Sequence, residues 1–107
     1  LEGVKLISPR VFQDGRGFFF ENYKASAYFQ KGIEVSFVQD NVSFSRKNTI
    51  RGLHFQSFPG QAKLVSCLLG KIWDVVVDIR KNSPTFGKWE AVELDGILHR
   101  QLFVPEG

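Results

Sequence analysis

The sequence predicts an all-β domain, a sandwich or a barrel. Three observations point there: short segments that alternate apolar and polar residues, turn clusters that separate them at close intervals, and only one stretch with helical character. That stretch is Ala25 to Gln30, which Gly32 ends as a C-terminal cap. Ile33-Glu34-Val35-Ser36-Phe37 follows with the alternation of a half-buried strand. Ala62 to Leu69 and Ile72 to Arg80 read as strands on either side of a turn at Gly70-Lys71. Asn82-Ser83-Pro84-Thr85 is a second turn cluster. Trp89 to Leu94 and Ile97 to Val104 flank Asp95-Gly96, a hairpin signal because both residue types tolerate positive φ.

Length and composition bound what such a domain can be. The chain of 107 residues suits one domain spanning 1–107, with no linker, repeat or low-complexity tract. At 43% hydrophobic and 23% charged residues it reads as a soluble globular protein. Its longest apolar runs, such as Val75-Val76-Val77, are far too short to span a bilayer. The N-terminus LEGVKLISPR lacks a signal-peptide pattern, and the single Cys67 cannot form an internal disulfide. A cytoplasmic protein without a membrane partner is the expectation. The net charge of +3 favours anionic partners without choosing among them, because the basic residues are scattered. Most of the 11 phenylalanines are expected to fill the core. Phe18, Phe19 and Phe20 beside Arg16 are the exception, since aromatics next to a cation suit a nucleotide.

The polar residues concentrate between Gln39 and Gln56, QDNVSFSRKNTIRGLHFQ. In a strand Gln39 and Asn41 would share a face, where their amides could grip a sugar or a base; a hydrated outer face fits the pattern equally. Arg51 and His54 would point to opposite faces of a regular strand. Gly52 between them reads as a bulge that re-aims both toward one pocket. The competing reading is a solvated arginine and a hydrogen-bonded core histidine. Metal binding is not expected. His54, His99 and Cys67 lie far apart in sequence, and Gln56 stands where a His-x-His pair would need its second ligand.

Together the stretches DGRGFFFE (14–21), FVQDNVSFS (37–45), IRGLHFQ (50–56), QAKLV (61–65), DVVVDIRKNSPTFGKW (74–89) and QLFVPEG (101–107) resemble the dTDP-4-dehydrorhamnose 3,5-epimerase family, in the family's order and over nearly the whole chain. The resemblance implies a cupin-type double-stranded β-helix, or jelly roll, with one short helix, incomplete at the C-terminus. It also implies a homodimer and an isomerase that needs no cofactor or metal. Such an enzyme epimerises dTDP-4-dehydro-6-deoxy-D-glucose at C3 and C5 to dTDP-4-dehydro-L-rhamnose. By the same resemblance His54 is the general base, Lys63 stabilises the enolate and Arg51 contacts substrate. Arg16 and Glu21 contact the nucleotide across the dimer, Phe19 packs on the thymine, and Gln39 and Asn41 are further contacts.

The chemistry suits those residue types. C3 and C5 both flank the C4 ketone, so removal of either proton gives an enolate at O4. A histidine offers a base near working pH, and a fixed cation near O4 stabilises the developing charge. Two departures from the family pattern stand out. His54 and Lys63 are nine residues apart, one fewer than expected. The sequence stops at PEG, where the family continues into a segment carrying the donor tyrosine and the aspartate that orients the base. Neither Tyr23 nor Tyr28 matches that donor. The alternatives are a single-carbon epimerase or ketoisomerase on the same scaffold, a sugar-binding cupin without catalysis, and a β-barrel for nucleotide or single-stranded nucleic acid. The last would need basic residues clustered around exposed aromatics, so no nucleic-acid partner is expected.

Overall fold

The computed structural model describes residues 1–107. Seven strands and one helix occur in the order β1 (Lys5–Ile7), β2 (Val11–Asp14), β3 (Gly17–Phe20), α1 (Ala25–Gln30), β4 (Lys63–Ser66), β5 (Lys71–Val77), β6 (Trp89–Asp95) and β7 (Gln101–Val104). They make a three-stranded antiparallel sheet, β1-β7-β4, and two antiparallel ribbons, β2-β3 and β5-β6.

Register explains where the core lies. Leu102 pairs with Leu6 on one side and Val65 on the other, so these three share a face. In the β5-β6 ribbon Ile72 pairs with Leu94 and Asp74 with Val92, which puts Asp74, Val76, Val92 and Leu94 on one face. The two faces meet: Cys67, Leu94 and Leu102 form the buried cluster, with Val65, Val76, Val92 and Val104 packed against it. By the same alternation Lys63 and Asp74 belong to the inward faces of the two sheets.

Helix α1 occupies the residues expected, and Gly32 caps it as expected. Gly32 has φ 84° and donates its N–H to the Phe29 carbonyl, while Ile33 donates to that of Tyr28. That bond pair is the Schellman motif, which satisfies carbonyls at the helix end. Ile33, 3% exposed, plugs the base of the helix. The cap redirects the chain, and Ile33 to Phe37 forms no strand; residues 33–62 contain neither strand nor helix.

The hairpin expected at Asp95-Gly96 is corrected in its pairing. The turn is present, but β6 pairs with β5 and β7 with β1 and β4. Asp95 Oδ1 accepts the N–H groups of both Ile97 and Leu98, at 2.9 and 2.7 Å, which widens the turn beyond a two-residue loop. His99 then takes φ 57°, a left-handed conformation that costs a non-glycine residue roughly 1 kcal/mol. The chain is thereby steered to the other sheet. The strands either side of Gly70 are likewise partners of other strands, and Lys71 opens β5 instead of sitting in the turn. The two turns lie back to back: Gly96 donates to the Gly70 carbonyl at 3.0 Å. A Cβ on Gly96 would sit 2.8 Å from the Leu68 carbonyl oxygen, so only glycine allows that approach.

The Asn82–Thr85 turn is held by one carboxylate. Asp78 accepts Arg80 Nε and Nη2, each at 2.9 Å, and the Ser83 and Thr85 hydroxyls. Arg80 also donates to the Glu2 carbonyl at 2.8 Å, which ties the N-terminal residues to this loop.

Candidate functional site

The DGRG sequence builds a two-residue hairpin: Asp14 pairs with Gly17, and Gly15-Arg16 forms the loop. Arg16 folds back on its own turn, donating Nη2 to Asp14 Oδ2 and its backbone N–H to Oδ1, both at 2.8 Å. This pair holds the Asp14 carboxyl below its usual range. Phe12 and Phe19 pair directly and share a face; Phe18 and Phe20 occupy the other. On the first face an open cavity of about 380 Å³ is lined by Arg10, Phe12, Phe19, Glu21 and Tyr28. The Arg10 guanidinium lies 4.8 Å from the Phe12 ring centroid, a cation over an aromatic face. Burial, then the nearby Glu21 and Tyr23, push the Tyr28 hydroxyl up. Phe19 and Glu21 thus meet in one cavity. Arg16 is at the hairpin tip and does not line it.

The Gln39–Gln56 stretch is exposed and contains a turn at Lys47-Asn48 but no strand, so the bulged strand expected around Gly52 is not formed. Some of its polar groups pair locally. Gln39 Nε2 donates to Asn41 Oδ1 at 3.3 Å, which keeps the two amides together without a strand. Arg51 Nε donates to Ser45 Oγ at 2.8 Å, and Gln56 Nε2 donates to the Pro59 carbonyl at 3.3 Å. Gly52, at φ 107°, lies under the His54 ring: a Cβ there would come within 3.6 Å of Cε1 and Nε2. The tighter approach is to the His54 backbone N, at 3.3 Å, so Gly52 packs closely against His54.

Lys63 opens β4 and donates Nζ to Gln61 Oε1 at 2.6 Å. Asp74, across the core on β5, is a chemically capable residue that the motif reading passed over. Its Oδ2 is buried without a hydrogen-bond partner, and burial raises its carboxyl above the usual range. The signal was available, since a lone acid sits at an inward position of IWDVVV. Arg10 and Phe12 were missed as well, because their pairing depends on the hairpin. No group of three or more His, Cys, Asp or Glu side chains is arranged to hold a metal ion. No helix is long and apolar enough to cross a membrane.

Comparison with known proteins extends this picture. The family model described as dTDP-4-dehydrorhamnose 3,5-epimerase matches residues 1–107. The dTDP-4-dehydrorhamnose 3,5-epimerase of Salmonella typhimurium is 53% identical over 106 residues, covering 97% of this chain and 58% of that protein. The Bacillus anthracis dTDP-4-dehydrorhamnose 3,5-epimerase, solved with TDP and PPi bound, superposes with a TM-score of 0.96 at 51% identity, over 98% of this chain and 61% of that one. A Legionella pneumophila dTDP-6-deoxy-D-glucose-3,5-epimerase, solved with dTDP-4-keto-L-rhamnose, gives 0.95 at 49% identity, over all of this chain and 57% of that one. The chain thus spans a little under three fifths of the Salmonella protein's length. These matches agree with the nearly all-β, cupin-type architecture. The chain belongs to the dTDP-4-dehydrorhamnose 3,5-epimerase family.

Proposed function

We propose that this chain carries the nucleotide-binding hairpin and the proton-abstracting histidine of a sugar-nucleotide epimerase. Its substrate is dTDP-4-dehydro-6-deoxy-D-glucose, inverted at C3 and C5 to dTDP-4-dehydro-L-rhamnose. The observation that carries this reading is the match over all of residues 1–107, backbone included, to an epimerase solved with dTDP-4-keto-L-rhamnose. The working form is a homodimer in which one subunit's Arg16, Phe19 and Glu21 reach the nucleotide bound by the other. Phe19, 71% exposed, suits that role, because a free aromatic face can stack on a base.

In the proposed reaction His54 takes the proton from C3 or C5. The C–H electron pair moves into the enolate, and the charge gathers on O4, where Lys63 stabilises it. Arg51, Gln39 and Asn41 hold the sugar and diphosphate oxygens through fixed donors. A separate acid then delivers a proton to the opposite face. No cofactor enters these steps. Incubating dTDP-4-dehydro-6-deoxy-D-glucose with the enzyme in D₂O and following C3 and C5 by NMR tests the assignment and shows whether one carbon or both exchange. His54→Ala is expected to slow exchange by about 100-fold or more, the usual weight of a positioned base. Exchange at the parental rate would remove His54 from the mechanism.

A further inference from the structure

The β2-β3 hairpin pairs with no other strand. A two-stranded hairpin by itself is marginal in water, so one that presents a binding surface needs an external hold. His99 supplies a contact of that kind. Its ring centroid is 4.6 Å from that of Phe18 and 4.5 Å from that of Phe20, with interplanar angles of 36° and 27°. Phe18 and Phe20 lie on the hairpin face opposite Phe12 and Phe19. The imidazole therefore grips one face and leaves Phe19 free on the other.

The loop that delivers the ring is itself fixed. Asp95 Oδ1 accepts the two N–H groups that precede it, from Ile97 and Leu98, and His99 sits at φ 57°. A non-glycine residue held in the left-handed region persists where surrounding contacts over-determine it, and histidine is among the side chains that tolerate it best. The geometry points to His99 as a positioning residue: it clamps the hairpin to the β6–β7 connection through Phe18 and Phe20, and so sets the orientation of Phe19 and Glu21 toward a nucleoside diphosphate. Its contact with the nucleotide is indirect. The clamp rests on the proposed nucleotide site only for its consequence, not for its geometry.

The test uses the full chain in three forms: parent, His99→Asn and His99→Phe. Asparagine keeps the tolerance for positive φ and removes the ring; phenylalanine keeps a ring. Amide hydrogen exchange over residues 11–20 and dTDP affinity by calorimetry are read side by side, with exchange in β4 and β7 as the folding control. His99→Asn is expected to speed exchange in the hairpin on the order of tenfold, the weight of one to two aromatic pairs. It is also expected to weaken dTDP several-fold while β4 and β7 keep their protection, and His99→Phe is expected to restore both. Unchanged hairpin exchange in His99→Asn would overturn the clamp. A loosened hairpin with unchanged dTDP affinity would overturn the positioning role. If the parent binds no dTDP, the nucleotide reading fails while the exchange data still decide the clamp.

Discussion

Asp78 carries more structure than any other side chain in the protein. It is 2% exposed, yet its two oxygens accept the Arg80 guanidinium, the Arg80 backbone N–H and two hydroxyls. Arg80 first, then Ser83 and Thr85, hold its carboxyl far below the usual range. A depressed folded pKa means that the unfolded chain binds a proton first as pH falls. The stabilisation is then complete above the unfolded carboxylate value of about 3.9 and is lost progressively below it. Asp78→Asn should therefore lower the urea midpoint clearly at pH 7, and the gap to the parent should close as titration is carried below pH 4. A gap independent of pH would show that packing, not charge, is what Asp78 supplies. Lys63 and Asp74 make a different case. Asp74 sits on an inward face near a small core, where charge is least screened, whereas Lys63 opens β4 with an exposed side chain. If Lys63 serves the enolate, Lys63→Ala lowers turnover in the complete enzyme by about 100-fold while leaving dTDP affinity nearly unchanged. A matching loss of affinity would make it a ground-state contact instead.

Local chemistry was legible wherever an element is fixed by its own residues. Helix α1 and its cap could be read because Gly32 serves a backbone need that few other residues meet. Gly32→Ala should cost about 1 kcal/mol of stability, since the left-handed cap at φ 84° would then strain a Cβ. Equilibrium unfolding checks it, and a neutral change would mean that the Schellman bonds are dispensable. The β2-β3 hairpin has an equally local mark in Gly15-Arg16, a two-residue loop with glycine first. Pairing between distant strands was not legible. Asp95-Gly96 has hairpin composition, and the sequence carries no local mark that Asp95 will bond two residues onward or that His99 will turn the chain to another sheet. The Gln39–Gln56 segment forms no strand for a related reason. Its alternation satisfies a strand's side-chain pattern, but a strand also needs a partner for its backbone groups, and none is present in this chain. The placements of Asp74 and Arg10 depend on long-range pairing and carry no such local mark.

At the scale of the whole molecule, surface is the telling quantity. A compact monomer of 12.2 kDa exposes about 6,100 Å². This chain exposes 8792 Å². Its radius of gyration is 14.9 Å, where about 13 Å is usual for this length. The excess is roughly three times what one partner contributes to a standard interface. It is apolar in character: Val38, Ile50 and Phe58 are 93%, 91% and 99% exposed. Unpaired backbone beside such residues invites strand addition from other chains. Residues 1–107 expressed alone should therefore self-associate at micromolar concentration, which light scattering after size exclusion would register. Catalysis by the same 107 residues meets a second obstacle. Epimerisation needs an acid on the face opposite the base, and neither tyrosine matches the family's donor. The Tyr28 hydroxyl donates within a cluster with the Asn22 carbonyl and Gln101 that docks α1 onto β7. Tyr23 packs its ring edgewise against Tyr28 and Phe37. With the Tyr28 hydroxyl engaged and Tyr23 outside the family's donor motif, the expected outcome is weak dTDP binding and at most slow exchange of the C3 and C5 protons without inversion. NMR detection of the L-rhamnose-series product decides the matter. Product formed by residues 1–107 at a rate near that of complete relatives would mean that the chain holds its own acid. Tyr23→Phe and Tyr28→Phe would then identify which residue supplies it.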